Sequence, residues 1–354
     1  RWKRSAMMIH FKRYVREAEI LEPNTKKPLK QVVEYRRDPL TGDLSTVLPG
    51  RLSYVKRFFE SDEEFLKGYA EKSKVSCPFC PTRLMGSVPR FPPSLIAEGL
   101  IEVGETVTFP SLFAHAEYNA VTVLSPIHLL RPSDFKAQTL FNALKASSTY
   151  VRGVHLHDPS VKYLAVVVNY LPPAGSTVIH PHMQTLVTSI GFQRIMRMLR
   201  LGRQYWRKNG GNYWEDLIEA ELGSERYVGR IGGLHVLAPF APSSLLEVDM
   251  VLPGRSSFLE LNDEELASIA KGVEKVLEFY SEIGVWSFNF ALYSGPLDQR
   301  REDYTLSLKV AARYGFREGY VSDVWGLRHL LDQGEVFESP EELAEKLRPK
   351  FIED

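Results

Sequence analysis

The sequence predicts an α+β fold in which helices pack on antiparallel sheets. Strand-like runs alternate with capped, helix-like stretches, and one order of elements occurs twice along the chain. The composition is that of a globular chain, with 44% hydrophobic and 25% charged residues in 354.

Residues 1–30 are polar, basic and without clear periodicity, and read as an arm or irregular lead-in. The first copy then opens at Thr106-Val-Thr-Phe-Pro110 and continues through Tyr118-Asn-Ala-Val-Thr-Val-Leu-Ser125. A helix follows, capped at Ser133 and ending near Arg152. The β-branched run Tyr163–Asn169 leads into a Pro/Gly turn at Leu171-Pro-Pro-Ala-Gly175. The second copy runs from Leu234 to Pro296, with a strand at Leu245–Pro253. Its helix starts on Asn262 and Glu265, a capping-box pair, and carries an apolar stripe at Leu266, Ile269, Val273, Val276 and Leu277. Trp286–Tyr293 reads as a strand with one core face and one face toward a site. Ser339-Pro-Glu-Glu starts a last helix. The duplication divides the chain into units of residues 31–190 and 191–354.

The 44 basic and 44 acidic side chains cancel, which argues against a nucleic-acid partner. No apolar run approaches the ~20 residues that span a bilayer, so no membrane is expected. Arg1, Lys3 and Arg4 are not followed by the apolar stretch of a secretory signal. Two cysteines make no disulfide framework, and a cytoplasmic location is expected.

Both cysteines stand in Cys77-Pro-Phe-Cys80. Two thiolates at this spacing converge on one tetrahedral ion, with two more ligands to be found among nine histidines. A redox dithiol and a pair of buried thiols are the competing readings. The second signal is His180-Pro-His182-Met-Gln184. In extended chain the two histidines share a side, roughly 7 Å apart by strand rise. One can then hold a metal while the other meets a substrate. His155-Leu-His157 has the same spacing in a polar, loop-like stretch and reads as surface.

Taken together in this order, Cys77-Pro-Phe-Cys80, Ser125-Pro-Ile-His128, Asn169, and His180-Pro-His182-x-Gln184 resemble galactose-1-phosphate uridylyltransferases, a duplicated branch of the histidine-triad superfamily. Arg37-Asp-Pro-Leu-Thr-Gly-Asp43 with Pro49-Gly-Arg51 extends the likeness upstream, so that it covers roughly residues 35–350. The resemblance implies two histidine-triad-like repeats, the second degenerate, and one structural zinc on Cys77, Cys80, His128 and His180. It implies that His182 is the nucleophile and that Gln184 bonds the phosphoryl group of the intermediate. Asn169, Gly175, Ser176 and Thr177 would line the nucleotide phosphates, and Arg51 would contact the nucleotide. The partners implied are a nucleotide sugar and a hexose 1-phosphate, in a homodimer.

Some members of that family carry a second metal site. Here the matching positions are Met198, Tyr293, Ser307 and Lys309, and that site is expected to be absent. A second N-terminal arginine of the family aligns with Tyr54, close to Lys56 and Arg57.

Histidine suits the middle role in a double displacement, because its neutral form is populated at neutral pH. Donors from Gln184, Asn169, Thr177 and the backbone N–H groups of Ala174-Gly175-Ser176 would stabilise the phosphoryl oxygens. The expected reaction moves UMP from UDP-glucose to galactose 1-phosphate through nucleotidyl-His182. The alternatives are a nucleotide-sugar phosphorylase with the same intermediate and a non-catalytic, zinc-stabilised member.

Overall fold

The computed structural model describes residues 9–51 and 57–352. The chain opens with β1 (Lys12–Leu21) and β2 (Pro28–Arg37), then β3 (Leu44–Val47), α1 (Glu63–Lys74) and α2 (Pro81–Ser87). Three strands follow, β4 (Ile101–Val103), β5 (Thr106–Pro110) and β6 (Tyr118–Val123), then α3 (Ala137–His157), β7 (Tyr163–Tyr170) and β8 (His182–Thr188). Helices α4 (Gln193–Asn209) and α5 (Tyr213–Glu221) separate these from β9 (Tyr227–Ile231), β10 (Leu234–Leu237) and β11 (Val248–Val251). Next come α6 (Asp263–Glu282), β12 (Phe288–Tyr293) and β13 (Ser307–Ala312), then α7 (Gly326–Leu331), β14 (Gly334–Val336) and α8 (Pro340–Leu347).

Ten strands form one sheet in the order β4-β5-β6-β8-β7-β12-β13-β11-β10-β9. The order reads alike from either edge: β4, β5, β6, β8, β7 from one side and β9, β10, β11, β13, β12 from the other. Along the chain a long helix follows the third strand of each half, α3 between β6 and β7 and α6 between β11 and β12. The halves meet where β7 and β12 pair antiparallel, with Asn169 opposite Asn289. All neighbouring strands in this sheet run antiparallel.

The buried residues on one face explain why α3 and α6 lie there. Leu164, Val166 and Val168 of β7 and Phe288, Phe290 and Leu292 of β12 pack with Leu140, Leu144 and Val151 of α3 and Ile269, Val273 and Val276 of α6. Helix α6 starts as the sequence predicts. The Asn262 side chain accepts from the Glu265 N–H, and the Glu265 carboxylate accepts in return. Ser339 caps α8 in the same way with Glu342.

Among the described residues, the opposite face is covered at its two ends. Leu84 and Val88 at the α2 end pack with Phe109, Val121 and Val123 of β5 and β6. Ile195, Met198 and Leu199 of α4 and Tyr213, Trp214 and Ile218 of α5 cover Leu237 and Val251 at the other end. Helix α4 lies against the chain near Asp303 at Gly202, where a Cβ would stand 2.5 Å from the Asp303 carbonyl oxygen. Between these covers, β8, β7 and β12 expose a shallow trough of half-buried residues.

A second sheet, β1-β2-β3-β14, stands apart from the first. Its β1–β2 hairpin pairs ten residues on each strand, and β1 is exposed along its whole length. Residues 12–21 and 28–30 are therefore regular strand joined by a tight turn, contrary to the expected irregular lead-in. With solvent on both faces of β1, the chain has no need for the apolar alternation that announces a strand. Strand β14 closes the sheet by pairing parallel to β3.

Two further expectations are corrected. Ser133 lies in a 3-10 turn, Pro132–Asp134, and α3 begins at Ala137. His155 and His157 occupy the last turn of α3, not a loop. A cut at residue 190 would also separate paired strands, β7 from β12 and β3 from β14. No helix among the described residues is long and apolar enough to cross a membrane.

Candidate active site and metal centre

Four side chains from three separate segments converge at the α2 end of the trough. Helix α1 ends three residues before Cys77, whose N–H bonds the Lys74 carbonyl. Cys80 is the N-cap of α2, and Pro81 opens that helix where a missing N–H costs nothing. His128 follows β6, and His180 precedes β8. The donor atoms of these four buried residues all lie within 4.8 Å of one another.

The geometry fits a tetrahedral ion. Cys80 Sγ is 3.4 Å from His128 Nδ1, and His180 Nδ1 is 3.7 Å from both Cys77 Sγ and Cys80 Sγ. Zinc–sulfur and zinc–nitrogen bonds of ordinary length give ligand–ligand edges of about 3.3–3.8 Å. Each ring nitrogen not facing the centre has its own partner. His180 Nε2 donates to the Ser125 carbonyl at 2.7 Å, and His128 Nε2 lies 2.9 Å from Ser73 Oγ. Such outer bonds leave Nδ1 as the ligand atom on both rings. Burial lowers the pKa of His128, and lowers that of His180 to about 4, so both rings are neutral, as ligation requires. Burial and the neighbouring Cys77 push the Cys80 thiol up to about 11, so a thiolate here calls for a cation beside it.

Immediately beyond the centre, His182 begins β8. Its Nδ1 donates to the His180 carbonyl at 2.8 Å. That bond fixes the tautomer and leaves Nε2 with its lone pair. Phe79, the residue inside the Cys-Pro-Phe-Cys turn, sets its ring edge-on to His182 at 5.3 Å and to His180 at 6.2 Å between centroids. Burial lowers the His182 pKa, with the His180 carbonyl opposing, which also favours the neutral ring.

Gln184 lies on the same face of β8, two residues on, between Val121 and Val167. Its amide makes no hydrogen bond to the described residues. Asn169 stands on the neighbouring strand, its Oδ1 accepting from Asn289 Nδ2 at 2.7 Å. Gly175 and Thr177 are exposed on the turn after β7, and Gly175 takes a φ of +88° that favours glycine.

Ser176 and the turn depart from expectation. The Ser176 hydroxyl donates to the Val178 carbonyl at 2.6 Å. The N–H groups of Ala174 and Ser176 bond the Leu171 carbonyl, and that of Gly175 bonds the Pro172 carbonyl. A 3-10 turn consumes its own donors, so these three N–H groups do not form the expected phosphate cradle. Arg51 is likewise held elsewhere. Its guanidinium bonds Gln31 on β2, and its charge acts on Glu335 of β14. No hydrogen bond or ion pair joins it to the other site residues among the described residues. Tyr54 and Lys56 lie outside the described residues.

Three contributors were not singled out from sequence: Phe79, Asn289 and Arg313. The signal for Asn289 was present, a polar residue between Phe288 and Phe290 in an otherwise apolar strand.

Met198, Ser307 and Lys309 line a small cavity of about 80 Å³ beneath α4 and α5, and Tyr293 pairs with Ser307 beside it. The Lys309 ammonium occupies this ground, 2.6 Å from Glu247 and 2.7 and 2.8 Å from the two oxygens of Asp249. Burial alone would lower the Lys309 pKa, but the two carboxylates more than reverse this.

No family model matches the chain. An uncharacterized protein of Archaeoglobus fulgidus is 31% identical over 346 residues, covering 98% of this chain and all of that one. Among solved structures, an ADP-glucose phosphorylase from Arabidopsis thaliana with bound ADP-glucose has a TM-score of 0.68 at 18% identity, over 89% of this chain and 98% of its own. A GALT-like protein of the same plant gives the same values. A uridylyltransferase gives 0.64 at 20% identity, over 89% and 97%.

Proposed function

Since the chain belongs to one family with the Archaeoglobus fulgidus protein and has the fold of the uridylyltransferases, we propose that it is a nucleotidyltransferase working through a covalent adduct on His182. The observation that carries this reading is the 2.8 Å bond from His182 Nδ1 to the His180 carbonyl, which leaves Nε2 unprotonated. The Nε2 lone pair attacks the α-phosphorus of a nucleoside diphosphate sugar. The bond from that phosphorus to the bridging oxygen breaks, and the sugar 1-phosphate leaves with the electron pair. Its phosphate is a weak base, so no general acid is needed. The ring gains positive character as the P–N bond forms, and the His180 carbonyl, accepting from Nδ1–H, stabilises it. An acceptor phosphate oxygen then attacks the same phosphorus, and the P–N bond breaks to return the lone pair to Nε2. Gln184 and Asn169 supply N–H donors to the non-bridging oxygens.

Cys77, Cys80, His128 and His180 would hold zinc, a choice supported by two sulfur and two nitrogen donors in tetrahedral spacing. Four protein ligands would leave the ion no open position. It would serve to fix His180, and with it the carbonyl that orients His182.

Donor and acceptor are UDP-glucose and galactose 1-phosphate in the first reading. The likeness to an ADP-glucose phosphorylase supports a second, in which inorganic phosphate is the acceptor. A homodimer belongs to either reading. The test is intact mass after incubation with UDP-glucose or ADP-glucose. The expected result is one nucleotidyl adduct per chain, absent from His182→Asn, and discharged by galactose 1-phosphate or by phosphate. No adduct with either nucleotide sugar would overturn both readings in favour of a non-catalytic role.

A further inference from the structure

We propose that Arg313 and Asn289, both in the second half of the chain, set the hydrogen-bonding polarity of Asn169, so that its amide nitrogen is the atom presented to a substrate phosphoryl oxygen. This rests on the trough being the nucleotide site, and it adds two positioning residues to it.

A guanidinium has donors and no acceptor. Arg313 Nη1 lies 2.9 Å from one amide atom of Asn289, which must therefore be the oxygen. The Asn289 nitrogen then faces the other way, toward the Ala174 carbonyl at 3.0 Å and an amide atom of Asn169 at 2.7 Å. A backbone carbonyl only accepts, so Ala174 imposes independently the orientation that Arg313 imposes. Facing a donor, the Asn169 atom is its oxygen. The remaining group, Asn169 Nδ2, has no acceptor among the described residues. The chain of bonds runs from an obligatory donor to a free N–H pair on the trough.

The start of that chain is firmly held. Asp323 receives Arg313 Nε at 2.6 and 2.9 Å and Nη2 at 2.6 Å. The side chains of both residues are at least 85% buried. A two-pronged ion pair of this kind fixes the guanidinium plane as well as its position. If the role were only to join the strands, an apolar pair at the facing positions of Asn289 and Asn169 would serve, without four polar groups to desolvate. One nitrogen of Asn289 also ties Ala174, the residue before Gly175. Strand residue and turn are thus referenced to a single atom from the other half.

Asn289→Asp tests this at constant shape. The carboxylate still accepts from Arg313 but has nothing to donate, so the Asn169 amide turns to donate inward and shows its oxygen to the trough. The expected result is a fall of about 100–1000-fold in the rate of His182 nucleotidylation, the scale of one lost oxyanion donor. Arg313→Lys, which keeps a donor-only group, should retain most of the rate that Arg313→Met loses. A second readout does not depend on turnover. With ¹⁵N-asparagine labelling, UMP should shift the Asn169 side-chain amide in the wild type and not in Asn289→Asp. An Asn169 amide unmoved by UMP in the wild type, or equal rates in Arg313→Met and Arg313→Lys, overturns the proposal. A wild-type amide that shifts while no adduct forms overturns the transferase reading and leaves the polarity chain standing.

Discussion

An imidazole has two nitrogens, and in this protein backbone carbonyls decide which one each ring offers. The Ser125 carbonyl accepts from Nε2–H of His180 and so leaves Nδ1 facing the two cysteine sulfurs. The His180 carbonyl accepts from Nδ1–H of His182 and so leaves Nε2 its lone pair. Neighbouring histidines thereby acquire opposite chemistry from the same kind of bond. Phe79 touches both rings, so Phe79→Ala should slow adduct formation about tenfold while metal content stays at about one ion per chain. Paired metal analysis and adduct kinetics would check this. Cys77→Ser should instead lose the metal and lower Tm by about 10 °C, read by calorimetry. The ligands and the nucleophile were legible in the sequence because cysteine and histidine are rare there and two of the pairs are local. Asn289 and Arg313 were not, because their meaning comes from the pairing of β12 with β7, strands 120 positions apart. The Ala174–Ser176 donors misled for a related reason, since a Pro/Gly turn shows its flexibility in sequence but not how its own N–H groups are spent.

At the scale of elements, the strand pair β11–β13 is held by the Lys309 ammonium between Glu247 and Asp249. Lys309→Met keeps the volume but leaves the buried Glu247 carboxylate and the half-buried Asp249 carboxylate side by side. We expect a loss of roughly 3–5 kcal/mol in urea unfolding, largely recovered in a triple variant that adds Glu247→Gln and Asp249→Asn. Helix starts were among the most legible features, because Asn262 with Glu265 and Ser339 with Glu342 announce their caps locally. The β1–β2 hairpin was the least legible, since exposed strands leave no alternation to read.

For the molecule as a whole, the small sheet is fastened to the rest through Glu341 at the start of α8. Burial would raise the pKa of this carboxyl, but Arg36 of β2 and Arg226 outweigh it and bring it down to about 2. A depressed folded-state pKa contributes stability that is present above the unfolded value near 4.3 and lost as pH falls through about 2. Glu341→Gln should therefore cost roughly 2–3 kcal/mol at neutral pH. The gap to wild type should close progressively between about pH 4.5 and pH 2 in denaturant titrations. A gap independent of pH would show that packing, not the charge, is what the variant removes.

The parallel pairing of β14 with β3 has a consequence for biosynthesis. Gly334 sits beside Ser45, 289 positions earlier in the chain. At the ~5–20 residues per second of a translating ribosome, the free edge of β3 waits about 15–60 s for its partner. Throughout that interval the nascent hairpin offers an open row of amides, and it is in this window that a holdase would find its work.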